Sequence, residues 1–257
     1  MAVYLITGAT GGIGAAICKR LAASGHRLVL AARGTERLET LISSLHGSGH
    51  LAIKLDMSNE ASVADLTLRL SERQVALDGV VIMPPQPHAH AEPLPEPAVW
   101  RELFETSFIG PLSVLKGAIT AMHPDPKAGK RCKVVIISGI SSAQVLSHYA
   151  TANVIRTAWL GEAKTLAFAL GPKGIHVNTL SLGGTLSPWY REAIGKRGAS
   201  AGVSFEEQLA KETDNVPLGK YGEPAEVATV VEQLLSSFSD HMTGLNILHD
   251  GGFTRAY

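Results

Sequence analysis

What this chain lacks narrows what it can be. Two cysteines, Cys18 and Cys132, cannot build a disulfide framework, and one falls inside a predicted helix, so a reducing, cytoplasmic setting is expected. Net charge is also missing. Lys and Arg number 23 against 23 Asp and Glu, which removes the electrostatic footprint that nucleic acid or an acidic membrane requires. No apolar run is long enough to span a bilayer, and no basic-then-apolar leader precedes the first strand, which argues against secretion. The partners expected are therefore small molecules or protein. Among the histidines, His88 and His90 lie close together without a second ligand pair at metal spacing, so no metal site is expected. The one basic cluster, Lys127, Lys130, Arg131 and Lys133 among Pro124, Pro126 and Gly129, reads as a solvated loop.

What is present begins at the start of the chain. An apolar run over residues 3–6 leads into Thr7-Gly8-Ala9-Thr10-Gly11-Gly12-Ile13-Gly14, after which Ile13, Ile17 and Leu21 recur at helical spacing. That is strand, glycine-rich turn, helix. Glycine permits positive φ and a close backbone approach, while the first amides of a helix and the positive end of its dipole point at whatever binds there. The turn is a site for a phosphate, and its context points to a dinucleotide.

Downstream the pattern repeats. Strands are predicted over 26–32, 50–56, 78–83, 133–138, 175–180 and 245–249, and helices over 35–45, 59–73, 99–122 (one long helix or two in tandem), 149–170 and 223–235. Continuously apolar strands alternating with helices predict an α/β chain: a single doubly wound Rossmann domain over residues 1–257, with a seven-stranded parallel sheet and helices on both faces. Two segments break the rhythm. The prolines between 84 and 97 make a stiff loop past the fourth strand, which is either a place for ligand or a linker into the next helix. Residues 184–220 hold no strand and, with Trp189 and Tyr190, read as a short helical lid.

Taken together these residues resemble the short-chain dehydrogenase/reductase family over essentially the whole chain. Thr7 to Gly14 is similar to its TGxxxGIG turn, Asp56 to the aspartate that faces the adenine, and Gly174-Ile175-His176-Val177-Asn178 to its entry into strand six. Pro217 to Ala228, and Gly244 with Asp250-Gly251-Gly252, match its C-terminal signature. The resemblance implies an oxidoreductase whose nicotinamide cofactor is held at the turn by Gly8, Thr10, Gly12, Ile13 and Gly14. It further implies contacts from Asp56, Met57, Pro84, Arg156 and Thr185, and a homodimer or tetramer. Charge argues the cofactor type. Where an acid usually holds the ribose 2′-hydroxyl, the chain reads Ala31-Ala32-Arg33, with Arg37 one helical turn on. A guanidinium suits a 2′-phosphate, so NADP(H) is expected.

The chemistry departs from the family. The resemblance implies a Tyr proton donor, a Lys four residues later, a Ser that orients the carbonyl and an Asn that completes a proton relay. Counting back from Asn178 without a gap puts Arg156 in the Lys column, Ala152 in the Tyr column, Gly139 in the Ser column and Ser107 in the Asn column. The Tyr-x-x-x-Lys pair is lacking, and Met83-Pro84-Pro85 stands where the family has NAG. Tyr149 is a remaining phenol. If the helix already includes it, it shares a face with Ala152 and Arg156 and starts about 4.5 Å further along the axis than the usual phenol. A three-residue gap would instead pair it with Asn153, which has no charge to depress a phenol. Ser141 or Ser142 can replace the hydroxyl missing at Gly139, His148 is a second donor candidate, and Asn153-x-x-Arg156 is similar to a divergent branch with N-x-x-R in place of the Tyr-Lys pair. Two readings stay open. One is an NADP(H)-dependent carbonyl reductase or alcohol dehydrogenase acting on a small molecule, with Tyr149, Arg156 and Ser141 as catalytic residues. The other is a catalytically silent NADP(H)-binding subunit or sensor, partnering an active relative in a hetero-oligomer.

Overall fold

In the computed structural model, which describes residues 1–87 and 91–255, the seven apolar runs form one parallel sheet. Its strands are β1 (Val3–Thr7), β2 (Arg27–Ala32), β3 (Leu51–Lys54), β4 (Gly79–Ile82), β5 (Cys132–Gly139), β6 (Ile175–Leu182) and β7 (Asn246–His249), in the order β3-β2-β1-β4-β5-β6-β7. The order reverses between β1 and β4. Their carboxyl ends therefore splay apart and open the crevice where this architecture binds ligand. The Thr7 hydroxyl spans that boundary, accepting from Met83 N at 2.8 Å.

Period-two alternation divides the core. Leu5, Val29, Val80, Ile82, Val134 and Ile136 face one side, against α3 (Glu60–Glu72), α5 (Gly110–Thr120) and α6 (Ala150–Leu170). Their neighbours Ile6, Leu28, Leu30, Val81, Val135 and Ile137 face the other, against α1 (Gly12–Ala23), α2 (Thr35–Ser43) and α9 (Pro224–Leu235). Each such fully buried side chain contributes about 1.5–3 kcal/mol relative to exposure. The remaining helices are α4 (Pro97–Phe104), α7 (Pro188–Ala201) and α8 (Phe205–Thr213).

Three expectations are corrected and one alternative is decided. Of the one long helix or two in tandem expected over 99–122, the structure has two, α4 and α5, joined by a π turn at Glu105–Ile109. The cause is Pro111, which has no N–H to give the Ser107 carbonyl one turn back; the Trp159 indole takes that carbonyl instead, Nε1 to O at 2.9 Å. The helix predicted from 149 starts at Ala150, and Tyr149 ends a separate 3-10 turn with φ −124° and ψ 38°. The Asn153 amide causes this, bonding both the N–H and the C=O of Leu146 and folding the preceding chain back. The short lid is two helices, α7 and α8, joined by a turn through Gly202, whose φ of 68° ends α7. Lys133 does not lie in a solvated loop. It is buried in β5, donating to Asp240 Oδ1 at 2.7 Å and lying 3.1 Å from His176 Nδ1.

Among the described residues no helix is long and apolar enough to cross a membrane, and no group of three or more His, Cys, Asp or Glu could hold a metal ion. His88 and His90 lie outside the described residues.

Candidate active site

The glycine turn is built by close contact. Gly8, at φ 57°, reverses the chain after β1, and its carbonyl accepts from Gly11 N at 3.0 Å. A Cβ on Gly14 would collide with that same carbonyl, so only glycine lets α1 start this close to the turn. Gly11 caps α1 without a side-chain hydrogen bond, which leaves the amides of Gly12 and Ile13 to an outside acceptor. Exposed Gly8, half-buried Thr10 and the open helix end fit a pyrophosphate.

The corner beside β2 carries positive charge. Arg33 is exposed just past the strand end, and Arg37 Nη2 donates to Thr10 O at 2.6 Å, tying α2 to the phosphate turn. Across from them, Asp56 accepts from Ser58 N at 3.0 Å and from Ser58 Oγ at 2.7 Å. Those hydrogen bonds hold its carboxyl below the ordinary value, and the Arg33 charge adds to the effect. Met57 is buried, its carbonyl pressed against Gly110 at the start of α5. Pro84 is buried beneath the proline loop, and Thr185 is buried with its hydroxyl turned to Gly183 O at 3.2 Å.

At the other end of the crevice the structure brings Arg156, Ser141 and Tyr149 together. Arg156 Nη1 donates to buried Ser141 Oγ at 3.0 Å, and its Cζ lies 5.4 Å from the centre of the Tyr149 ring. The guanidinium occupies the space over Gly139: a Cβ there would stand 2.6 Å from both Cζ and Nη1. Burial pulls the guanidinium below its ordinary value, and the neighbouring Tyr149 opposes this. Ala152 is fully buried and Ser107 nearly so, the latter inside the π turn. Ser142 Oγ lies 2.9 Å from Ser181 Oγ, away from Arg156, and His148 is exposed beside Tyr149.

Sequence reasoning missed Gln86. Its Oε1 accepts from Arg156 Nη2 at 2.6 Å, so the proline loop is latched to α6. Only a polar residue standing alone among Pro84, Pro85 and Pro87 signalled it. The segment over 184–220 is also closely tied. Pro188 rests on the phosphate turn, where a Cβ on Gly12 would lie 2.5 Å from its Cδ. Tyr190 packs against Tyr221 with ring centres 5.7 Å apart and lies under Arg197, whose guanidinium grips Glu212 with two bonds of 2.8 Å. Burial raises the pKa of both phenols.

A family described as enoyl-(acyl carrier protein) reductase matches residues 8–254. Diacetyl reductase [(S)-acetoin forming] of Staphylococcus epidermidis is 30% identical over 259 residues, covering 96% of each chain. A variant of actinorhodin polyketide ketoreductase, solved with NADPH, superposes with a TM-score of 0.87 at 28% identity over 99% of this chain and 97% of that one. A short-chain oxidoreductase of Pseudomonas aeruginosa PAO1 described as containing an atypical catalytic center, also NADPH-bound, shares the fold with a TM-score of 0.86 at 23% identity, covering 100% and 98%. The chain belongs to the short-chain dehydrogenase/reductase superfamily.

Proposed function

We propose that the protein is an NADP(H)-dependent oxidoreductase interconverting a carbonyl and a hydroxyl in a small molecule, with a non-standard centre in place of the Tyr-x-x-x-Lys pair. When bound, the cofactor supplies or accepts the hydride at the substrate carbon. The Gly12 and Ile13 amides hold its pyrophosphate, Arg33 and Arg37 select the 2′-phosphate, and Asp56 borders the adenine. In the reducing direction Tyr149 gives its phenol proton to the carbonyl oxygen and recovers one from solvent. Arg156 cannot donate at neutral pH; it offers donors to the ribose and a fixed positive charge to the oxygen as that oxygen becomes negative. Ser141 orients the guanidinium.

One observation carries this reading: the Arg156 guanidinium is seated on Ser141 and lies over the Tyr149 ring, so cation and phenol are juxtaposed although they are not one helical turn apart. The diacetyl reductase and the ketoreductase solved with NADPH support the cofactor and the reaction class. Two free, buried cysteines suit a reducing cytoplasm, and a homo-oligomer belongs to the same reading.

The test is NADPH fluorescence titration followed by NADPH consumption with ketones and aldehydes. Saturable binding with turnover supports the proposal, and absence of binding overturns it. Binding without turnover would favour a silent cofactor-binding subunit, the reading motivated by Ser107, Gly139 and Ala152 in the catalytic columns.

A further inference from the structure

Arg156 is a half-buried cation without a counter-charge. Its two bonded donors meet neutral acceptors, Ser141 Oγ and Gln86 Oε1, and its Nε is buried with no hydrogen-bond partner. Among the described residues no carboxylate lies within ion-pair distance of it; half-buried Arg27 and Arg131 share that lack, but of these three only Arg156 has a buried nitrogen without a hydrogen-bond partner. Withdrawing a charge from water without an opposite charge is costly, so such a cation persists where a ligand completes it. Ribose hydroxyls are neutral and leave the charge uncompensated. Of the five guanidinium donors, Ser141 and Gln86 take one from each terminal nitrogen and Nε is enclosed. Each terminal nitrogen keeps one N–H, and the Gln86 side of the group lies open to solvent.

We infer that Arg156 is the anion-recognition point of the substrate site, and that the substrate carries a carboxylate directly beside its carbonyl, as in a 2-oxo acid. A carboxylate on the guanidinium puts the adjoining carbonyl, one bond away, on the side of the Tyr149 ring, whose centre lies 5.4 Å from the Arg156 Cζ. Gln86 and Ser141 act as positioning residues, since they hold the planar head in one orientation. Gly139 provides the room. The carbonyl part of this inference rests on the proposed reductase activity; the anion site does not.

The experiment compares oxamate with oxamide, a carboxylate and its neutral isostere, as ligands of the enzyme–NADPH complex by isothermal titration calorimetry. Oxamate is expected to bind at least about tenfold more tightly than oxamide, and Arg156→Gln is expected to abolish the difference. Equal binding of the two probes to the wild-type protein, or binding of neither, overturns the inference without any variant. If Arg156→Gln fails to fold by circular dichroism, Arg156→Met serves, since it keeps an unbranched side chain and removes the charge: loss of the preference supports the inference, and a retained preference contradicts it. Oxamate selectivity with no 2-oxo acid turned over keeps the anion site and removes the reductase reading. Turnover of neutral ketones with equal oxamate and oxamide binding does the reverse.

Discussion

The Arg156 guanidinium stands where a side chain on Gly139 would have to begin, with Cζ 2.6 Å from the position of a Cβ. The hydroxyl missing from the end of β5 and the arginine on α6 are therefore one arrangement rather than two separate departures. Gly139→Ser is predicted to push the guanidinium off Ser141 and Gln86. Because the displaced atoms are the flexible end of a long side chain, stability should change by less than about 1 kcal/mol, while kcat/KM falls tenfold or more. Urea unfolding and steady-state kinetics on the same variant separate the two effects, and an unchanged kcat/KM would contradict the coupling.

Arg33 and Arg37 should differ in a way that kinetics can read. Arg33 is exposed with no role in the turn, so Arg33→Ala is predicted to weaken NADPH about 10- to 100-fold and leave NADH nearly unchanged. Arg37 also holds Thr10 O, so Arg37→Ala should weaken both cofactors. Dissociation constants from fluorescence titration test this, and an equal loss of both cofactors in Arg33→Ala would remove the 2′-phosphate assignment.

Trp159→Phe removes the donor that satisfies the Ser107 carbonyl in the π turn. An unsatisfied buried carbonyl costs about 1–3 kcal/mol, beyond any packing change against Phe108, whose ring centre lies 5.1 Å away. The loss should be seen in urea unfolding. Pro111→Ala in the same background should recover part of it, since it restores an N–H one turn from Ser107.

The ion pair between Lys133, at the start of β5, and Asp240 contributes to acid sensitivity. The Lys133 hydrogen bond holds the Asp240 carboxyl below its ordinary value. The stability from that pair is fully present above the unfolded carboxyl value, about 4, and is lost as pH falls through the lowered folded value. Asp240 is half exposed, so solvent screens the pair and the effect is modest. Asp240→Asn should lower Tm at neutral pH and converge with the wild-type protein in acid; a constant offset at every pH would exclude the ion pair as its cause.

The sheet was legible because its strands are buried on both faces, so β4 and residues 134–137 of β5 read as unbroken apolar runs with no alternation to confuse them. The phosphate turn was legible because Gly8 and Gly14 act on each other within one local segment. What escaped depends on residues far apart in the chain. Gln86 meets Arg156 across 70 positions and Lys133 meets Asp240 across 107, and nothing local to either pair marks the partner. Pro111 is the instructive intermediate case. Its missing N–H is visible in the sequence and disturbs the helix locally, but that Trp159 closes the gap depends on a residue 52 positions from the Ser107 carbonyl.

The Tyr149 phenol lies outside the helix and under the Arg156 guanidinium, and the proton transfer is assigned to it. Tyr149→Phe keeps the ring beneath Arg156 and deletes only the hydroxyl, so single-turnover NADPH oxidation by this variant isolates the role of the hydroxyl. The rate is expected to fall by about 10²–10⁴ with the NADPH dissociation constant unchanged. Hydride transfer at the wild-type rate in this variant would contradict the assignment.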